Sequence, residues 1–440
     1  MHDQLLESQW WSGDELEEWQ FDQLNVLIQH SIKNVKFYQE LFEGMGVDLS
    51  KGIDRSTWNK IPILTRAKVR ELGEQLHSKT YPISQGVSSY ISSGGSTGIP
   101  VIIKKTELDG FIWNAINLRE ELWHRDCFLG TIANLKGSNT AEYSPENFPS
   151  NSINFAGGIL IHNWGSPTEQ VWETGKMGII RSDRPLSEQA NFLIELKPDY
   201  LIIRPSNLRL LISYFYENKI KLSSLRSVWT LSESVDESLR VFCKETFGCD
   251  IIENYSCAEF GYIALQCPDS SNFHVMSEVN YVEILNDNGE ACLPGETGKV
   301  IITSLHNFAM PLIRYEIGDE AEVGHPCKCS RGLPTIKRIV GRSQYYLLLK
   351  NGNKKHFDLN HYKISSIRSI TEFQLAQISL EKMQLRLVIS KSLNDNELDN
   401  VNTIMEKFCD KDFVYEIIFC QKIERTKSGK LIQFVSEVRG

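Results

Sequence analysis

The sequence predicts an α/β protein with a large, multi-layer N-terminal domain of sheets and helices and a small C-terminal α+β domain. Between residues 88 and 340, short apolar runs rich in β-branched residues alternate with helical stretches, as in YLIIR at 200–204 and KVIITSL at 299–305. This alternation is typical of sheets that helices cover. After residue 342 the strand-like runs QLRLVIS at 384–390 and FVYEIIF at 413–419 flank the helical stretch 394–408, which predicts a separate compact unit.

Along the chain, residues 1–80 are predicted to be a mostly helical lead-in. Apolar side chains recur at helical spacing over 14–45, and a further helix follows Pro62. Four helices are then predicted at 107–123, 187–196, 206–218 and 234–247, with strands at 89–93, 200–204, 227–231, 250–255 and 299–305. We therefore predict one domain over 1–342 and a second over 343–440.

The composition restricts the classes of partner. The 440 residues are 41% apolar and 23% charged, with 56 acidic and 47 basic residues and a net charge of −9. An acidic chain without a basic arm is not expected to bind nucleic acid or anionic lipid. We find no apolar run near the ~18 residues that span a bilayer, and the acidic first 20 residues lack the pattern of a secretory signal. These features predict a cytoplasmic protein without a membrane partner.

A stretch of glycine and hydroxylated residues, YISSGGSTGIP at 90–100, follows a strand-like run. Small residues let backbone N–H groups converge on an anion, and Ser and Thr hydroxyls add donors. The spacing is not that of a Walker A loop, which needs a lysine near its end. By composition alone, a phosphate-binding loop and an ordinary Gly/Ser turn are both open.

Further segments, in order along the chain, give this loop a context. The sequence resembles the adenylate-forming superfamily of acyl-CoA synthetases and nonribosomal adenylation domains. It is most similar to the branch of phenylacetate-CoA ligase, capsule-biosynthesis CapK and coenzyme F390 synthetase. The resemblance extends over nearly the whole chain, and the segments that carry it are KIPILTR at 60–66, the glycine-rich loop, PDYLIIRPSNLRLL at 198–211, NYSCAEFG at 254–261, LIRYEIGD at 312–319, KRIVGR at 337–342 and RTKSGK at 425–430.

The resemblance implies a chemistry. Members of this superfamily couple a carboxylate to ATP, which gives an acyl-AMP and releases pyrophosphate, and they usually then transfer the acyl group to a thiol such as that of CoA. It implies that Lys430, Glu259 and Arg342 are catalytic, that Glu259 binds Mg²⁺, and that Lys430 bridges the carboxylate and the α-phosphate. A hard carboxylate oxygen suits Mg²⁺, and a compact ammonium suits two neighbouring anions. It also implies a C-terminal domain that moves between half-reactions and carries Lys430 into the site for the first one only.

The resemblance also implies which residues bind ATP and AMP. The glycine-rich loop covers the β- and γ-phosphates, Tyr255 lines the adenine site, and the single carboxylate of Asp319 accepts both ribose hydroxyls. The complete set implied is Ser92, Ser93, Gly94, Gly95, Ser96, Thr97, Gly98, Ser232, Glu233, Asn254, Tyr255, Ser256, Asp319 and Arg342.

Three positions depart from the pattern of the superfamily. Gln344 stands where an acidic hinge residue is common, and Ala258 stands where a Thr or Ser usually precedes the glutamate. The segment LSE at 231–233 replaces a sequence that usually reads SGE. Because Glu259, Asp319, Arg342 and Lys430 all remain, these changes do not indicate inactivation.

Four residues form a candidate zinc site. Cys267 and His274 are the ends of CPDSSNFH, and Cys327 and Cys329 form CKC. Three cysteines and one histidine complete a structural tetrahedral site, although the spacing is not that of a zinc finger. Reduced thiols beside a surface histidine are the alternative from the residues alone. The resemblance favours zinc, because similar elements occur in relatives of phenylacetate-CoA ligase.

The final acceptor of the acyl group stays open at this point. CoA is the leading candidate, and a ligase that uses an amine or a hydroxyl in capsule, cofactor or natural-product synthesis is the first alternative. Adenylyl transfer to a phenolic hydroxyl and a nucleotide-binding regulator without turnover are two others. Whether the protein is a monomer or a dimer is equally open.

Overall fold

The structure is a computed structural model, and it describes residues 1–46, 52–92, 100–136, 152–342, 346–356, 364–409, 411–426 and 431–438. The fold class predicted from the sequence is confirmed: helices and strands are mixed throughout the described residues. The helices are α1 His2–Ser8, α2 Gly13–Asn34, α3 Lys36–Met45, α4 Arg55–Trp58, α5 Arg66–Leu72, α6 Glu107–His124, α7 Leu186–Leu196, α8 Pro205–Glu217, α9 Glu237–Phe247 and α10 Asp395–Cys409. No described helix has the length and apolar character that crossing a membrane requires.

The strands predicted at 200–204, 227–231, 250–255 and 299–305 are confirmed, and they are β7, β8, β9 and β13 in the following series. The described strands are β1 Ser88–Ser92, β2 Ile102–Thr106, β3 Ile132–Lys136, β4 Ile153–Phe155, β5 Gly158–Ile161, β6 Met177–Arg181, β7 Tyr200–Ile203, β8 Ser227–Thr230, β9 Asp250–Cys257, β10 Gly261–Gln266, β11 Phe273–Val275, β12 Asn280–Leu285, β13 Thr297–Ser304, β14 Tyr315–Val323, β15 Thr335–Arg342, β16 Tyr346–Leu348, β17 Lys354–His356, β18 Ile370–Gln377, β19 Lys382–Ile389, β20 Val414–Phe419 and β21 Phe434–Ser436. Short 3₁₀ turns lie at Gly73–Leu76, Ile83–Gln85, Thr168–Gln170 and Ile364–Ser366.

The chain divides into two compact units. Unit 1 consists of Met1–Asp126 and Asn254–Ser343, and unit 2 consists of Cys127–Glu253 and Gln344–Gly440. The boundary between domains that the sequence predicts at 342/343 stays a prediction.

Unit 1 contains an antiparallel sheet in the order β12-β13-β14-β15-β11-β10, with the second half of β9 beside β10. Helices α2 and α3 cover it through buried side chains such as Leu24, Leu27 and Tyr38, which share a core with Val300 and Ile302. Helix α2 begins after Ser12, which forms a reciprocal capping box with Glu15. The sheet brings β9 and β14, which carry two of the predicted motifs, into one unit.

Unit 2 contains a mostly parallel sheet in which β8, β7, β3 and β6 follow the first half of β9. Helices α7, α8 and α9 connect its strands and bury an apolar face that includes Phe192, Leu211 and Phe242. A second sheet, in the order β20-β19-β18-β21, packs with α10 around Leu385, Met405 and Phe408. Each of these two sheets therefore has its own buried core.

Candidate functional site

Two residues from distant motifs meet in unit 1. The hydroxyl of Tyr255, on β9, donates a hydrogen bond of 2.7 Å to Oδ2 of Asp319, on β14. The backbone of Arg342 lies opposite Asp319 in the register of β14 and β15. The sheet therefore brings together three positions that the resemblance assigns to the adenine, the ribose and the domain junction.

The predicted magnesium ligand lies just beyond β9. Glu259 is 5% exposed, and its Oε1 atom lies 3.3 Å from Nη1 of Arg66, a residue that is itself buried. The sequence reasoning missed Arg66, although KIPILTR was among the segments that carried the resemblance. A single arginine in the first turn of a short helix has no signal of its own, and only the tertiary structure reveals its partner.

The start of the same NYSCAEFG segment is anchored to helix α6. Nδ2 of Asn254 donates a 3.0 Å hydrogen bond to Oε1 of Glu120, and the Ser256 hydroxyl donates to Oδ1 of Asn254 at 3.1 Å. Glu120 is 2% exposed, and burial raises its pKa from 4.5 to about 7, against the opposing effects of Asn254 and Arg125. Glu120 is a second residue near the motifs that the sequence did not single out.

The buried Glu120 predicts a specific pH dependence of stability. Because its pKa is raised in the folded protein, the folded state binds the proton more tightly than the unfolded chain does. Protonated Glu120 therefore contributes about 3 kcal/mol to the free energy of unfolding below about pH 4.5, and this stabilisation is lost as the pH rises to about 7. We expect Glu120→Gln to lack this pH dependence. In urea unfolding, the stability of the variant relative to the natural protein should therefore rise between pH 5 and 8. Parallel pH profiles for the two proteins would contradict this prediction.

In unit 2, Glu233 connects the LSE segment to the C-terminal lysine loop. Its two carboxylate oxygens accept hydrogen bonds from the backbone N–H of Ser206 at 2.9 Å and of Leu431 at 3.2 Å. Leu431 directly follows RTKSGK, and its backbone forms an isolated antiparallel bridge with Arg425, the first residue of that motif. Arg425 in turn donates to the Ser206 hydroxyl at 2.7 Å and pairs with Glu372. Both ends of the loop are thus held beside Glu233.

The remaining nucleotide positions are placed only in part. Ser92 is the last residue of β1 and lies opposite Ile102 of β2. Ser232 has a left-handed backbone with φ of 70°. Outside the described residues lie Ser93, Gly94, Gly95, Ser96, Thr97, Gly98, Gln344, Lys427 and Lys430.

The four predicted zinc ligands form one cluster in unit 1. The ligand atoms of Cys267, His274, Cys327 and Cys329 all lie within 4.8 Å of one another. Sγ of Cys267 lies 3.6 Å from Sγ of Cys327, and Nε2 of His274 lies 3.2 Å from Sγ of Cys329. Tetrahedral zinc with bonds of about 2.3 Å to sulfur sets neighbouring sulfurs about 3.8 Å apart, so this spacing fits the ion.

The surroundings of His274 also fit a metal ligand. Its Nδ1 lies 3.1 Å from the carbonyl oxygen of Leu333, and donation to that oxygen leaves Nε2 with its lone pair. His274 is on β11, Cys267 follows β10, and the CKC pair lies in the loop between β14 and β15. A metal here would tie the β10–β11 hairpin to the loop that follows the strand of Asp319.

Known proteins resemble this chain in sequence and in fold. Phenylacetate-coenzyme A ligase of Escherichia coli (strain K12) is 25% identical over 350 residues, which cover 78% of this chain and 74% of that protein. Protein CapK of Staphylococcus aureus is 21% identical over 433 residues, covering 94% of this chain and 87% of that protein. Among solved structures, 2-hydroxyisobutyryl-CoA ligase in the postadenylation state aligns with a TM-score of 0.73 and 15% identity, over 97% of this chain and 91% of that one. No family model matches the chain.

The fold is therefore that of the adenylate-forming CoA ligases. The resemblance in sequence to phenylacetate-CoA ligase and CapK, first indicated by the motifs, is confirmed.

Proposed function

We propose that this protein is an ATP-dependent carboxylate ligase that forms an acyl-AMP and then transfers the acyl group to CoA. The observation that carries the proposal is the direct contact between Tyr255 and Asp319, which joins two nucleotide motifs in a chain related to phenylacetate-CoA ligases. A carboxyl group beside a tyrosine ring suits a nucleoside, because the carboxylate accepts hydroxyl donors while the ring packs against a base.

In the first step, a carboxylate oxygen of the acid attacks the α-phosphorus of ATP and pyrophosphate leaves. Asp319 would hold the ribose and Lys430 would offset the charge that two anions bring together. Mg²⁺ on the phosphates would lower the charge of the leaving pyrophosphate, and Glu259 supplies the hard oxygen ligand for it. In the second step, the sulfur of CoA attacks the acyl carbon, and AMP leaves with its electron pair.

The residues of the cysteine cluster would hold zinc in a structural role. Three cysteines and one histidine fill a tetrahedral shell and leave no position for substrate or water. The S–S spacing of 3.6 Å and the contact between His274 and Leu333 support this assignment. Its function would be to fix the loop between β14 and β15. The cytoplasmic location stays a prediction from composition.

The decisive experiment measures release of pyrophosphate from ATP and Mg²⁺ with a panel of aryl, fatty and amino acids, with and without CoA. We expect one class of acid to trigger release, and AMP formation at full turnover to need CoA. Release that depends on an acid but not on CoA would indicate an amine or a hydroxyl as the acceptor. Binding of ATP without release for any acid would contradict the proposed ligase, and Ala258 and Gln344 would then be the first positions to restore.

A further inference from the structure

We propose that Arg66 is a positioning residue that reserves the Glu259 carboxylate for a divalent cation arriving together with ATP. The inference rests on the proposed function, since it assumes that Glu259 is the magnesium ligand. It goes further by assigning a role to a residue of KIPILTR to which the resemblance gave none, and by predicting an order of binding.

The contact is a buried ion pair rather than a surface one. Nη1 of Arg66 lies 3.3 Å from Oε1 of Glu259, and the two side chains are only 9% and 5% exposed. Water and salt screen such a pair weakly. The guanidinium therefore acts as a fixed positive charge directly beside the oxygen that a metal ion would use.

The backbone next to Arg66 is held in place on β14. The backbone N–H of Leu64 donates to the carbonyl of Arg314 at 2.9 Å, and the N–H of Glu316 donates to the carbonyl of Leu64 at 3.0 Å. Leu64 also forms a parallel bridge with Tyr315. Arg66 thus lies two residues after a backbone position that is bonded to the strand bearing Asp319, and its low exposure restricts the side chain further.

Charge balance gives the order of binding. The pair of Arg66 and Glu259 carries no net charge. For a divalent cation that arrives alone, repulsion by the guanidinium therefore cancels the attraction of the carboxylate. The phosphates of ATP supply the negative charge that compensates both cations. Mg²⁺ commonly binds proteins through one or two carboxylates together with substrate phosphates, which is the arrangement this pair favours.

The test uses Mn²⁺ as a paramagnetic substitute for Mg²⁺, measured by electron paramagnetic resonance on the full chain with and without α,β-methylene ATP. The binding that counts is the part lost in Glu259→Gln, because an acidic protein binds Mn²⁺ elsewhere too. For the natural protein we expect this part only when the nucleotide analogue is present. In Arg66→Gln we expect Glu259-dependent Mn²⁺ binding even without the analogue, with an affinity raised about tenfold or more. Arg66→Lys keeps the positive charge and should behave like the natural protein.

Two results would overturn the inference alone: Glu259-dependent Mn²⁺ binding by the natural protein without nucleotide, or unchanged affinity in Arg66→Gln. Absence of Glu259-dependent binding even with the analogue would remove the magnesium role of Glu259 and the inference together. Melting curves establish whether each variant is folded. If Arg66→Gln does not fold, the order of binding can still be decided from three other proteins: the natural protein, Arg66→Lys and Glu259→Gln. The first two keep the charged pair, and the third gives the background binding of Mn²⁺.

Discussion

Replacing Lys430 by alanine should reduce acid-dependent pyrophosphate release by about 10²- to 10³-fold or more. The resemblance places this ammonium between the substrate carboxylate and the α-phosphate, where two negative charges are forced together during adenylation. A single positive charge positioned at such a point contributes far more than it would in water. The two residues that flank this segment, Arg425 and Leu431, are bonded to Ser206, Glu372 and Glu233.

The second half-reaction tests the role of Lys430 more specifically in the same variant. Thiolysis of a supplied acyl-adenylate by CoA should stay within about twofold of the natural rate, because the resemblance implies that the C-terminal domain carries Lys430 away before that step. Lys427→Ala, in the same loop, is the matched control, and it should leave both half-reactions nearly unchanged. Loss of both half-reactions in Lys430→Ala, or equal damage in Lys427→Ala, would refute the role assigned to Lys430.

Replacing Cys327 by serine should release the metal from the cysteine cluster and lower the melting temperature by roughly 10 °C. A serine hydroxyl is a poor zinc ligand, and the remaining three groups no longer close the tetrahedral shell. The loop between β14 and β15 would lose its link to the β10–β11 hairpin, where Cys267 and His274 lie. Elemental analysis of the purified protein and a thermal melt measure the two effects together.

Cys292→Ser is the matched control for the metal site, because Cys292 is a partly buried free cysteine of the same unit outside the cluster. It should keep the metal content of the natural protein and shift the melting temperature far less. The zinc assignment fails if the natural protein contains no metal, or if Cys327→Ser leaves both metal content and melting temperature unchanged.

The sequence predicted much of the fold because its signals are local. Apolar β-branched runs such as SVWTL at 227–231 correspond to β8, and helical periodicity over 206–218 corresponds to α8 within one residue at each end. The resemblance also assigned Tyr255 and Asp319 to one nucleotide site, and in the structure these two side chains are in contact. Arg66 and Glu120 could not be found in this way. Their importance comes from partners that are distant in the sequence: Glu259 lies 193 residues from Arg66, and Asn254 lies 134 residues from Glu120.

The sequence by itself therefore determined the class of fold and the resemblance to the adenylate-forming superfamily, since these depend on residue types at fixed short spacings. The chemistry of the site follows from that resemblance and stays a prediction. The sequence also supplied the four cysteine and histidine residues of the candidate zinc site. The tertiary structure decided which of these residues are neighbours. It brings CPDSSNFH and CKC together, and it pairs the guanidinium of Arg66 with the carboxylate of Glu259. The physical reason is that sheet pairing and burial act between segments far apart in the chain. The charge and the pKa of a side chain depend on those neighbours and not on its own motif.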